Sequence, residues 1–170
     1  MSIVTILRDK LANGMLHLLT PKVPGDSHRR VLVIGSRLWE EIESKPRDST
    51  WEVRIGQLKA DLENFVISEQ IRPSYLFRLY PRSKAVWEIR SVEEDPSIRV
   101  FGLFVEKDVF LATNYALRSD LKEWESREWK QARRNATVEW SGLMHQFQPV
   151  RSDDIHAFVS GAIDGKYWKD

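Results

Sequence analysis

Residues 85–117 read AVWEIRSVEEDPSIRVFGLFVEKDVFLATNYAL, and their period decides the fold. Trp87 and Ile89 alternate with Glu88 and Arg90, so one side of an extended chain is apolar and the other charged, as in a half-buried strand. Residues 98–105 and 109–115 are two runs rich in β-branched and aromatic side chains, which strand interiors favour. Glu106-Lys107-Asp108 between them reads as a tight turn. Upstream, 75–80 (YLFRLY) is a further apolar run, set off from Ala85 by Pro81-Arg82-Ser83-Lys84. Together these runs predict an antiparallel meander.

Working outward, the period changes to that of helices. Trp51, Ile55, Leu58, Leu62, Phe65 and Val66 recur every three or four residues, and Ser49 with Glu52 has capping-box spacing, which predicts a helix over 50–67. Before it, Leu38, Trp39 and Ile42 share one face of a shorter helix that Pro46 stops, so the two form an antiparallel helical pair. Residues 31–34 are apolar throughout and close on Gly35, as in a buried strand or a strand entering a helix. Beyond Asp120, Leu121, Trp124, Trp129, Ala132, Ala136, Trp140, Leu143, Met144 and Phe147 line one face of a long helix, broken near 125–128 and ended by Pro149. Its opposite face is Lys, Arg and Glu. Residues 155–159 offer one further turn.

At the start, 4–20 hold two apolar runs around Asn13-Gly14, a dipeptide suited to a type I′ turn, and the reading adopted is a hairpin. A helix through Ile3, Ile6, Leu7 and Leu11, stopped by Gly14, competes with it. Residues 21–30 (PKVPGDSHRR) form a loop and the softest boundary. The expected class is α+β: a single domain over 1–170, with a helical hairpin packed on a three- to four-stranded antiparallel sheet. Residues 1–30 are an N-terminal extension and 121–170 a C-terminal helical segment.

Composition narrows the function. With 42% of its 170 residues apolar, the chain can build a sizeable core, and the seven Trp are spread along it as packing residues. A net charge of +1 sets up no global field for nucleic acid or anionic membrane. Cysteine is absent, which excludes disulfides, Cys-based zinc or iron–sulfur sites and thiol catalysis. No run approaches the ~18–20 apolar residues of a membrane helix, and MSIVTILRDK meets charge too early for a signal core, so a cytoplasmic protein without a membrane partner is expected.

The four histidines (17, 28, 145, 156) lack metal-ligand spacing, and no phosphate loop, dinucleotide fingerprint or nucleophile elbow occurs. No metal or cofactor is expected. The acid pairs Glu40-Glu41, Glu93-Glu94 and Asp153-Asp154 read as solvated surface. What remains is basic: Arg78, Arg82, Arg90, Arg99 and Arg118, with Lys84 beside the turn. Arg90 and Arg99 on neighbouring strands would converge on the open side of the sheet, where two guanidinium groups can cradle a phosphate. The bland alternative is that such arginines pair with Glu88 or Glu106 on a polar sheet face.

The segments KAVWEIRS (84–91) and SIRVFGLFVEKDVFLATNYALRSDL (97–121), within the order strand, two helices, meander, helix, resemble the RelE/HigB-type toxin superfamily. These are ribosome-associated messenger-RNA endonucleases of bacterial toxin–antitoxin pairs. The likeness covers residues 31–120 and implies a RelE-like core there. It implies a metal-independent ribonuclease acting by 2′-OH attack, with an antitoxin protein, mRNA and the ribosome as partners. Carried onto this sequence, it makes Arg90, Arg99 and Arg118 phosphate and transition-state contacts and Tyr115 a supporting catalytic group. Lys84, Asn114 and Glu88 become substrate contacts, Asn114 and Tyr115 positioning base and ribose and Glu88 standing as candidate base. The alternative is a catalytically silent RelE-like module of phage or mobile-element origin that binds a protein. A third reading is a binder of phosphorylated ligands through the same arginines.

Overall fold

The computed structural model describes residues 2–44, 48–91 and 96–169. Pro46 and the Glu93-Glu94 pair, both named above, lie outside them. The chain opens with helix α1 (Ile3–Ala12), not a hairpin. Ser2 caps its start by accepting from the Thr5 amide at 3.2 Å. Asn13-Gly14 closes it: Gly14 has φ 79°, its amide donates to the Leu11 carbonyl, and the Met15 amide donates to Lys10. That is a Schellman arrangement, in which Gly supplies the left-handed residue just as it would in a turn. The helix wins because Ile6, with Ile3, Leu7 and Leu11, finds a core to pack against.

Strand β1 (Leu16–Leu18) follows and pairs antiparallel with β2 (Val31–Gly35), so the N-terminal extension supplies a sheet edge. Helices α2 (Ser36–Glu43) and α3 (Ser49–Ile67) form the expected pair. The cap of α3 is Asp48, whose carboxylate accepts from the Trp51 amide at 2.8 Å, one residue earlier than the Ser49 of the capping-box reading. Strands β3 (Leu76–Arg78), β4 (Trp87–Ser91), β5 (Ile98–Glu106) and β6 (Val109–Leu117) are the meander. Helix α4 (Arg127–Met144) comes after a 3-10 turn at Arg118–Leu121, with Ser126 as its cap, so the expected break near 125–128 is present.

The sheet has six strands in the order β1-β2-β6-β5-β4-β3 and is mixed, which corrects the expectation of three or four antiparallel strands. β2 runs parallel to β6, with Val33 opposite Leu111, and every other neighbour is antiparallel. The continuous apolar run 32–35 is buried on both faces, which places β2 inside the sheet, not at its rim. The helices and strands between β2 and β6 supply the long crossover that parallel neighbours need.

Two cores result. Leu32, Ile34, Trp87, Ile89, Val100 and Phe110 face α2 and α3, while Val33, Phe101, Leu103 and Leu111 face α1 and α4. The tail joins the first core through buried Phe158, Val159 and Tyr167, and bridges to the sheet edge at Arg78–Trp168. One register irregularity bears on the site: between Phe101 and Gly102 the pairing with β6 slips by one residue. A Cβ on Gly102 would collide with the Leu111 carbonyl oxygen and the Phe110 ring, so only glycine allows this approach.

A buried cation staples these parts together. Arg30, 3% exposed, donates from Nη1 to the Phe65 and Ser68 carbonyls at 2.9 and 2.6 Å and from Nη2 to Ser160 at 2.7 Å. The amides of Arg29 and Arg30 donate to Val66. The open carbonyls at the end of α3 are thus closed by the chain entering β2.

Candidate functional site

Glu88 and Arg90 lie two apart on β4 and point to the α4 side of the sheet, where Arg99 stands directly across from Arg90 on β5. Arg90 Nε donates to Glu88 Oε1 at 2.7 Å, and Arg99 Nε lies 3.6 Å from Glu88 Oε2. Arg118, just past β6, is tied by its amide to Ser97 at 2.8 Å and by Nη1 to the Lys122 carbonyl at 2.9 Å. Its guanidinium rests 5.6 Å over the Trp129 ring of α4. The structure therefore brings the three arginines of the sequence reading around one carboxylate, leaving two positive charges in excess.

Burial grades the cluster. Glu88 is 1% exposed, while the side chains of Arg99 and Arg90 are 12% and 28% exposed. Burial pushes the Glu88 carboxyl above the usual carboxylate range, against the pull of Arg90 and, more weakly, of Arg99 and Arg118. Burial likewise lowers Arg99, with Glu88 opposing it. Arg99 Nε and Nη1 and Glu88 Oε2 are buried with no hydrogen-bond partner among the described residues. Buried donors of this kind ordinarily find one. Arg90 lies 4.3 Å over the Phe77 ring, its outer edge toward solvent.

A partial roof covers this ground. Trp129 packs edge-on against Phe101, Trp124 against Trp129, and Lys169 Nζ sits 4.5 Å over the Trp124 ring. The end of the chain thus touches the segment leading into α4.

Two of the expected partners, Tyr115 and Lys84, are elsewhere. Tyr115 lies on the opposite face, where its hydroxyl donates to Glu41 Oε2 of α2 at 3.1 Å and its ring packs on the α2–α3 core. The expectation that Asn114 and Tyr115 act together on base and ribose is corrected by the strand: both lie within β6, where neighbours alternate between faces. Asn114 does face α4, and its amide donates to the Ala132 carbonyl at 3.2 Å, which anchors the helix. Lys84 is exposed at the end of the 3-10 turn Arg82–Lys84, apart from the arginines, on the wall of a cavity against α4.

That cavity holds residues the sequence reading left as solvated helix surface: Lys130, Arg133 and Arg134. The signal was in the spacing, since Lys130, Arg133, Arg134 and Thr137 fall at helical positions i, i+3, i+4 and i+7, one stripe. No cluster of three or more His, Asp or Glu that could hold a metal occurs among the described residues. Among them, too, no helix is long and apolar enough to cross a membrane. In comparison with known proteins the chain matches no family model, no curated protein and no solved structure.

Proposed function

We propose that the chain acts on RNA as a toxin-like, metal-independent ribonuclease that grips a phosphodiester with Arg90, Arg99 and Arg118. The observation that carries the reading is the convergence of these three cations, from β4, β5 and the end of β6, on one side of the sheet around a carboxylate displaced upward in pKa. Arginine stays charged at any working pH and offers paired donors to phosphoryl oxygens. Arg99, whose Nε and Nη1 have no hydrogen-bond partner among the described residues, gains one in a phosphate. Glu88 is then the proton acceptor: burial makes it a stronger base than a solvated glutamate. The 2′-oxygen attacks the adjacent phosphorus, its proton passes to Glu88, and the P–O5′ bond breaks. The arginines hold the charge on the pentacoordinate phosphoryl oxygens, and the 5′-oxygen leaves protonated from water. The products are a 2′,3′-cyclic phosphate and a 5′-hydroxyl.

The second reading is a silent module that binds through the same face without cutting. It is favoured by the near-complete burial of Glu88 and by Tyr115 on the far side of the sheet. Induced expression in a bacterial host, followed by mapping of RNA ends made by the purified protein in EDTA, separates the two. Cleavage ending in cyclic phosphate, lost on Arg99→Ala and on 2′-deoxy substitution at the scissile position, supports the ribonuclease. Unimpaired growth with no new RNA ends refutes cleavage, and retained RNA binding then identifies the silent module.

A further inference from the structure

The cavity between the β3–β4 connection and α4 is lined by other residues than the arginine cluster, and four of its six lining residues are cations. It measures about 360 Å³ and is lined by Pro81, Lys84, Lys130, Arg133, Arg134 and Thr137. That volume falls at the small end of ligand pockets, which run ~300–1,000 Å³. No acidic side chain lines it. Four cations facing one space repel one another, and Lys130 with Arg134, one helical turn apart, are a like-charge pair that weakens α4 when nothing lies between them.

Both walls are rigid. On the helix side, Arg133 is buried to 8% exposure and held in a two-pronged pair by Glu125, at 2.5 and 3.3 Å. On the turn side, the Lys84 amide donates to Pro81 and the Ala85 amide to Arg82, with Ala85 left-handed at φ 58°. Two further arginines pin the same turn from behind: Arg78 Nη2 donates to the Arg82 carbonyl at 2.9 Å, and Arg151 Nη1 donates to that of Ser83. The Arg133 guanidinium and the backbone that carries Lys84 are thus held without a ligand, which lowers part of the ordering cost of binding one. Lys130, Arg134 and Lys84 remain exposed, so their donors are available.

From this we infer that the cavity is a second phosphate-binding site, taking a phosphate ester or anhydride with at least two negative charges. Arg133, with Glu125 cancelling part of its charge, forms the inner wall, and Lys84, Lys130 and Arg134 close on the anion from the rim. Thr137 adds a hydroxyl. The phosphate comes from one of two sources, a free diphosphate-bearing ligand or a further phosphate of the RNA strand proposed above. Its capture does not depend on Arg90, Arg99 and Arg118 acting on RNA.

The test is calorimetric titration of the full chain with inorganic pyrophosphate at fixed ionic strength, with chloride as the control anion. The titrations are run in an Arg90→Ala, Arg99→Ala background, so that the cluster on the sheet does not supply the binding, with and without Lys130→Ala and Arg134→Ala, both at exposed positions. Saturable one-to-one binding is expected in that background, at least roughly tenfold weaker once Lys130 and Arg134 are also replaced, as loss of charge-assisted donors requires. A short single-stranded RNA then separates the sources. Weaker RNA binding by the Lys130/Arg134 variant places the strand's phosphate in the cavity, and unchanged RNA binding beside lost pyrophosphate binding leaves a free ligand. No saturation below about 1 mM, the weak end of specific affinity, overturns the site. So does equal binding with and without the Lys130 and Arg134 replacements.

Discussion

Replacing Arg30 by Met keeps a long unbranched side chain and removes every guanidinium donor from the junction of α3, β2 and the tail. Three short bonds are lost, to Phe65, Ser68 and Ser160 at 2.9, 2.6 and 2.7 Å, together with a long one to Glu69 at 3.4 Å. The charge of Asp108, 3.5 Å from Nε, also loses its partner. Each charge-assisted bond contributes ~1.5–3 kcal/mol, but burying the guanidinium costs part of that gain. The lowered pKa of Arg30, caused first by burial, shows the same opposition. Breaking such a buried constellation costs about 3–5 kcal/mol. At ~2–4 °C per kcal/mol for a chain of this size, the melting temperature falls by about 10 °C. Urea denaturation followed by tryptophan fluorescence and by far-ultraviolet circular dichroism measures the loss. Arg30→Lys is expected to recover less than half of it, since one ammonium cannot span carbonyls on both sides. A change below about 1 kcal/mol for Arg30→Met would refute the staple, that being the scale of an ordinary surface substitution.

Gly102→Ala is expected to cost about 3 kcal/mol by overpacking against Leu111 and Phe110, whereas Gly142→Ala, with open space around the new methyl and a helical position, is neutral or stabilising. Equal midpoints for Gly102→Ala and wild type in denaturant would remove the close-approach argument. Glu88 adds a pH dependence. Its folded pKa lies above the unfolded value, so between the two the folded protein binds more protons, and stability falls as pH rises through that window and levels off above it. Glu88→Gln removes this component without unfolding the chain and abolishes RNA cleavage. A wild-type stability that instead rises through the same window, relative to the Gln variant, would show that the ion pairs with Arg90 and Arg99 outweigh burial.

The meander was legible because its information is local. Trp87 and Ile89 alternate with Glu88 and Arg90 within four residues, and the 106–108 turn joins two runs whose period needs no distant partner. The break before α4 and the α2–α3 pair were legible for the same reason. Asn13-Gly14 was not decisive, since the dipeptide serves a hairpin turn and a helix C-terminus equally, and only packing of Ile6 on the α4 side separates them. The parallel β2–β6 contact joins residues nearly eighty positions apart, beyond any local period. In the site, the convergence of Arg90 and Arg99 followed from strand alternation. Tyr115 lies on the far face because it is the strand neighbour of Asn114, and the same alternation that joins Arg90 to Glu88 separates these two. Arg30, Arg54, Arg78 and Arg133 are buried cations, and nothing in their immediate sequence distinguishes them from solvated ones.

Salt dependence of RNA affinity tests the phosphate grip of Arg90, Arg99 and Arg118 most directly. Fluorescence anisotropy with a short labelled single strand gives log K against log salt, whose slope is about −0.7 for each phosphate neutralised. For wild type a slope near −2 is expected, shrinking by about 1.4 in the Arg90→Ala, Arg99→Ala double variant as two contacts disappear. A double variant with the affinity and slope of wild type would contradict the account, because the strand would then be held somewhere other than this face of the sheet.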